Sequence, residues 1–80
     1  MDADGFRGLS VLIVEDEVLL RKQLSAYLET LGMDVTGVGT LAASRAALDR
    51  EDFDYALVDV NLPDGQGTEL LRERTPSPGT

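Results

Sequence analysis

The stretch that most narrows the choice of folds is "VLIV", Val11 to Val14. Four apolar, strand-forming residues run on without alternation and stop at three acids, Glu15, Asp16 and Glu17. A strand with one wet face alternates apolar and polar residues. A continuous run marks a strand buried on both faces, as at the centre of a parallel sheet. Parallel neighbours need long crossover connections, usually helices, so the flanking sequence must supply them.

It does. From about residue 17 to 31, Leu20, Leu24, Tyr27, Leu28 and Leu31 recur at helical spacing as one apolar stripe. Arg21, Lys22 and Glu29 fall off that stripe, and Gly32 sits where a helix-ending glycine belongs. Residues 33–39, "MDVTGVG", read as a weaker second strand anchored by Val35. Its two glycines point to an edge position or a close backbone approach. Thr40 is placed to cap a second helix, "LAASRAALDRE", whose apolar face is Leu41, Ala42, Ala46, Ala47 and Leu48. "FDYALVDV", residues 53–60, is the third strand. Gly67 or Thr68 opens a third helix, "TELLRER", with Leu70 and Leu71 facing inward. Residues 1–8 read as a flexible lead. Pro76, Pro78 and Gly79 prevent the helix from continuing, so residues 75–80 read as a disordered tail. The alternation β-α-β-α-β-α specifies an α/β fold, a parallel sheet with right-handed crossovers.

Eighty residues allow one small domain, 9–74, with a marginal core. The net charge of −8 argues against nucleic acid or an anionic membrane as a direct partner. The chain has no cysteine and no histidine, which removes thiolate chemistry, disulfides and the commonest acid/base group. Chemistry here must run on carboxylates, hydroxyls and backbone. With no apolar run of membrane-spanning length and no signal-like N-terminus, a cytoplasmic location is the expectation.

Parallel α/β sheets bind ligands at the carboxyl ends of their strands. Glu15, Asp16 and Asp59 all lie there. Adjacent strands are about 4.8 Å apart, so these groups converge if the first and third strands are neighbours. Converging carboxylates repel unless protons or a cation are taken up. A hard divalent ion such as magnesium accepts two carboxylates, a backbone carbonyl and waters. Asp59 beside such an ion is placed to attack phosphorus and become an acyl phosphate. The other reading stays open on spacing alone: acids favoured by a helix dipole at 15–17, a solvated strand end at Asp59 and a turn residue at Asp64. No G-x-G-x-x-G or G-x-x-x-x-G-K-[ST] phosphate loop is present.

"VLIVEDE" followed by "DYALVDVNLPDGQG", with Arg21, Leu24, Leu28, Gly32 and Val35 in order between them, resembles the receiver domain of two-component response regulators. The likeness runs from residue 9 to about 73. It implies a flavodoxin-like, three-layer α-β-α fold. Asp59 would be the phosphoacceptor, taking a phosphoryl group from a histidine kinase or phosphotransfer protein. Asp16 would bind Mg2+ directly, Glu15 directly or through water, and Asp59 and the Asn61 backbone carbonyl would complete the protein ligands. Pro63 and Gly67 would shape the loop.

A complete receiver resembles five β-α units in strand order 2-1-3-4-5, and these 80 residues supply three strands and the start of a third helix. The Ser/Thr ending the family's fourth strand and the lysine ending its fifth have no counterpart, and Lys22, on the first helix, is no substitute. The resemblance therefore implies a truncated order, 2-1-3, with weak magnesium binding and phosphorylation slow or absent. The third strand becomes a sticky edge, which suggests a homodimer pairing third strand to third strand. A phosphorylation-independent dimeric interaction or competitor protein, and a fragment of a longer regulator, are the alternatives. No acid/base partner follows Asp59, so a free-standing enzyme is not expected.

Overall fold

A computed structural model describes residues 3–74. The central strand β1 (Ser10–Val14) lies between β2 (Asp34–Val38) and β3 (Tyr55–Val58), both parallel to it, in the order β2-β1-β3. Register runs Ser10↔Asp34 to Val14↔Val38 on one side and Val11↔Tyr55 to Val14↔Val58 on the other. Helices α1 (Val18–Thr30) and α2 (Leu41–Arg50) form the crossovers. A two-residue antiparallel pair, β4 (Asn61–Leu62) with β5 (Gly65–Gln66), leads into α3 (Gly67–Arg74).

Val11 to Val14 are all buried, as the unbroken apolar run requires. The two sides of β1 face different layers. Leu12 and Val14 join Leu41, Ala47, Leu62 and Leu70 in a core beneath α2 and α3. Val11 and Ile13 face the α1 side, near Leu24, Leu28 and Met33.

Residues next to each end cap α1, and one opens α2. Glu17 precedes α1, and its carboxylate accepts from the Leu20 N–H at 2.9 Å. At the other end Gly32 adopts φ +88°, and the Met33 and Gly32 N–H groups close on Leu28 O (3.3 Å) and Glu29 O (3.0 Å). That reciprocal pattern needs a residue at ease in the left-handed region, which is glycine. The Thr40 hydroxyl accepts from the Ala43 N–H at 3.0 Å, opening α2.

Three expected helix faces are corrected. No residue of α1 is fully buried: Leu24 and Leu28 are half-buried, as is Leu31 just past the helix, while Leu20 and Tyr27 are exposed, Tyr27 by 64%. The helix packs mainly over β2 and β1, and this contact does not enclose its whole stripe. On α2, Ala42 and Ala46 face solvent, and the buried line is Leu41, Ser44 and Ala47. Ser44 can be buried because its hydroxyl donates to Leu41 O at 2.7 Å. On α3, Leu70 is buried but Leu71 is 52% exposed, since only one side of this eight-residue helix meets the core.

Of the lead expected over residues 1–8, residues 3–6 form a 3-10 turn, and the Gly8 N–H bonds to Gly32 O at 2.9 Å. The tail expected over 75–80 lies outside the described residues, as do residues 1 and 2.

Candidate functional site

The sheet register builds the site. Val14 pairs with Val58, so Glu15 and Asp59 are each the first residue past a paired strand end. The Asp59 N–H donates to Val14 O at 2.9 Å, and the Glu15 N–H donates to Val38 O at 2.9 Å. The carboxylates of Glu15, Asp16 and Asp59 each place an oxygen within 4.8 Å of the others. Glu15 and Asp59 are half-buried and Asp16 is exposed. An open cleft of about 300 Å³ lies alongside, with Ile13, Leu24, Leu57 and Val58 as its apolar wall and Glu15 and Asp59 at its polar end.

The loop carrying the acidic pair is tied down at several points. One Glu15 carboxylate oxygen accepts from the Glu17 N–H at 3.0 Å. The Glu15 carbonyl accepts from Arg21 Nη1 at 2.7 Å. The Arg21 side chain runs over the glycines of β2. A Cβ on Gly37 would lie 3.2 Å from Arg21 Cγ, and one on Gly39 would lie 2.9 Å from Arg21 Nη1. Those glycines mark both an edge strand and a close approach, and what approaches is a side chain of α1.

After Asp59 the chain turns sharply. The Asn61 N–H reaches Asp59 Oδ1 at 3.4 Å, and the Gly67 N–H donates to Val60 O at 2.8 Å. Gly67 has no room for a side chain: an added Cβ would sit 2.0 Å from Asp59 O and 2.6 Å from Val58 Cγ1. Pro63 and Asp64 form the tip between β4 and β5. Asp64 does more than turn the chain. Its two carboxylate oxygens accept from the Leu41 N–H (2.8 Å) and the Ala42 N–H (3.0 Å), capping α2 from 23 residues away. Those two backbone donors hold the Asp64 carboxyl below its ordinary pKa.

The donor set suits a hard cation. All three ligating groups offer oxygen, and no thiol or imidazole competes. In an octahedron with metal–oxygen bonds of about 2.1 Å, ligand oxygens lie at most about 4.2 Å apart. A cluster spanning up to 4.8 Å therefore fits two direct carboxylate bonds with the third direct or bridged by water.

Sequence reasoning identified Glu15, Asp16 and Asp59, and the fold brings them together. Two further residues take roles that the sequence does not signal. Arg21 lies off the apolar stripe and enters the resemblance by its place in order, but its bond to the Glu15 carbonyl is visible only in the fold, where the paired glycines of β2 give it room. Asp64 fits turn chemistry, and nothing local to it signals the end of α2.

Comparison with known proteins agrees with this geometry. The family model of the response regulator receiver domain matches residues 11–77. The chain is 40% identical over 65 residues to the transcriptional regulatory protein GltR of Pseudomonas aeruginosa, covering 81% of this chain and 27% of that protein. It is 36% identical over 78 residues to the probable transcriptional regulatory protein TcrX of Mycobacterium tuberculosis, covering 96% of this chain and 33% of that one. The chain thus spans about a third or less of the length of these relatives. A solved receiver domain (CheY-like) from Methylobacillus flagellatus superposes with a TM-score of 0.80 at 28% identity, over 91% of this chain and 64% of that one. The sheet order β2-β1-β3, the carboxylates at its strand ends and the family match over residues 11–77 lead to one conclusion: the chain belongs to the response regulator receiver domain family.

Proposed function

We propose that this chain is the magnesium-binding part of a receiver, with Asp59 as its phosphoacceptor in two-component phosphorelay signalling. The observation that carries the reading is the convergence of Glu15, Asp16 and Asp59 oxygens within 4.8 Å at the strand ends. Glu15, Asp16, Asp59 and the Asn61 carbonyl would hold Mg2+, which when bound supplies positive charge against the phosphoryl oxygens. An Asp59 carboxylate oxygen attacks phosphorus as the phosphorus–nitrogen bond of a phosphohistidine breaks. The departing imidazole keeps that electron pair and takes a proton. The donor is a histidine kinase or a phosphotransfer protein. With a net charge of −8 the segment makes no nucleic-acid contact of its own, and no described helix is long and apolar enough to cross a membrane. It works in the cytoplasm as a signalling module rather than as a free-standing enzyme.

These 80 residues hold no counterpart of the family's switch Ser/Thr or its lysine. The isolated chain therefore takes up phosphate slowly or not at all. Incubation with a small phosphodonor and Mg2+, followed by intact mass, tests this. A slow gain of one phosphoryl group that Asp59→Asn abolishes supports the reading. A gain that survives Asp59→Asn overturns Asp59 as the acceptor.

A second reading rests on β3. Its Tyr55 and Leu57 are 56% and 45% exposed, and among the described residues no strand pairs with its outer edge. In this reading the chain acts as a phosphorylation-independent homodimer. Two β3 strands pair antiparallel about a two-fold axis into a six-stranded sheet. A light-scattering mass of one chain at micromolar concentration, with native circular dichroism, sinks it.

A further inference from the structure

The peptide joining Glu15 to Asp16 lies between the two acids that would face the cation. On its amino-terminal side, the Glu15 N–H is held by Val38 O of β2. On its carboxyl-terminal side, the Glu15 carbonyl is held by Arg21 Nη1 at 2.7 Å. A peptide is planar from one Cα to the next, so fixing this carbonyl also fixes the Asp16 N–H and the Asp16 Cα from which that side chain starts. Arg21 is itself held. Its backbone N–H bonds to Glu17 O at 2.9 Å in the first turn of α1, and its carbonyl accepts from the Ser25 hydroxyl at 2.8 Å. Its stem lies across Gly37 and its guanidinium across Gly39, where any side chain would crowd it. Among the described residues the guanidinium makes no ion pair with a carboxylate, so its bond is spent on backbone.

We infer that Arg21 is a positioning residue for the acidic pair: it orients the Glu15–Asp16 peptide, with Gly37 and Gly39 as the platform on which it lies. This rests on the reading of Glu15 and Asp16 as cation ligands. Groups of this kind, one step behind the ligands, commonly account for about 10- to 100-fold in metal affinity. Removing one also leaves the ligand side chains in place, unlike removing a ligand.

Two variants of the 80-residue chain test it. Arg21→Met keeps the apolar stem and deletes the donor. Gly39→Ala keeps Arg21 and pushes its guanidinium aside. This displacement is tolerable because the crowded atom ends a flexible side chain and Gly39 does not need a positive φ. Mg2+ titration by calorimetry gives affinity, and melting in EDTA gives stability without metal. A third readout is the Asp16 amide resonance in the metal-free chain. The expected result is a loss of about 10-fold or more in Mg2+ affinity for both variants, with a shifted Asp16 amide and native-like metal-free melting. Affinities within two-fold of wild type, or an unmoved Asp16 amide, overturn the inference. If the wild-type chain takes up no Mg2+ at all, the reading of the site fails. The Asp16 amide then decides the role of Arg21 alone.

Discussion

Beneath α2 and α3, Leu12, Val14, Leu41 and Ala47 are fully enclosed, whereas across the sheet Tyr55 and Leu57 keep about half their surface in water. The same three strands supply both faces. The closed face has two helices, α2 and α3, which bracket β3 in the chain and cover Leu12 and Val14 of β1. The open face has α1 mainly over β2 and β1, and it leaves Tyr55 and Leu57 of β3 half in water. A groove of about 310 Å³ remains there, walled by Phe6, Val11, Leu28, Met33 and Tyr55. The contrast shows that apolar residues do not by themselves make a core. Leu57 and Leu12 lie on adjacent strands, one residue apart in register, and their environments differ because one has a covering layer.

The sharpest way to break that contrast is to truncate both sides. Leu12→Ala in the closed core should cost about 2–5 kcal/mol. That is a large part of the roughly 4–12 kcal/mol a chain this short has. Urea melts should show it mostly unfolded or close to it. Leu57→Lys should cost under about 1 kcal/mol, because half the side chain is already hydrated. It should instead reduce self-association by placing a charge at the open edge. Equal losses of stability would show that the two faces are covered alike.

Gly67→Ala comes next. Its Cβ would collide with the Asp59 backbone carbonyl, and backbone cannot swing away as a side-chain tip can. Overpacking of this kind costs about 1–3 kcal/mol, and the strain falls on the residue that carries the candidate phosphoacceptor. The variant should lose Mg2+ affinity along with stability. A variant with wild-type melting would mean that the loop is looser than its contacts indicate.

What could be read from the sequence follows the same division. Val11 to Val14 announced a central strand because burial on both faces removes alternation, a signal held within four residues. Thr40 and Gly32 announced helix ends because caps are local. Glu15, Asp16 and Asp59 could be grouped because strand ends in a parallel sheet coincide. Leu20, Tyr27 and Leu71 were misplaced because a helix stripe records an apolar face without recording how much layer lies opposite it. The roles of Arg21 and Asp64 are hidden for another reason. Arg21 reaches back six residues to the Glu15 carbonyl, and helical spacing does not show which way a side chain off the stripe will turn. Asp64 acts on backbone 23 residues away, and only the assembled turn brings it to α2.

The smallest expected effect tests that long-range cap. Both Asp64 oxygens accept α2 N–H groups, which favours the ionised form and lowers the carboxyl pKa in the folded chain. A carboxyl lowered on folding adds stability above its unfolded pKa of about 3.9. That contribution fades as pH falls through the lowered folded value, where both states are protonated. Asp64→Ala should therefore melt below wild type by a constant margin from pH 6 to 8. The margin should narrow below about pH 4. Asp64→Asn, which keeps one acceptor oxygen, should fall between them at neutral pH and show a flatter acid limb. The Arg45–Glu73 pair at 2.7 Å also lowers a carboxyl, that of Glu73, through the Arg45 hydrogen bond. It lies on the exposed surface and should respond to salt. The Asp64 margin, made to backbone donors, should persist at high ionic strength. If the Asp64→Ala margin vanishes in salt, the carboxylate acts on α2 through its charge and not through the two hydrogen bonds.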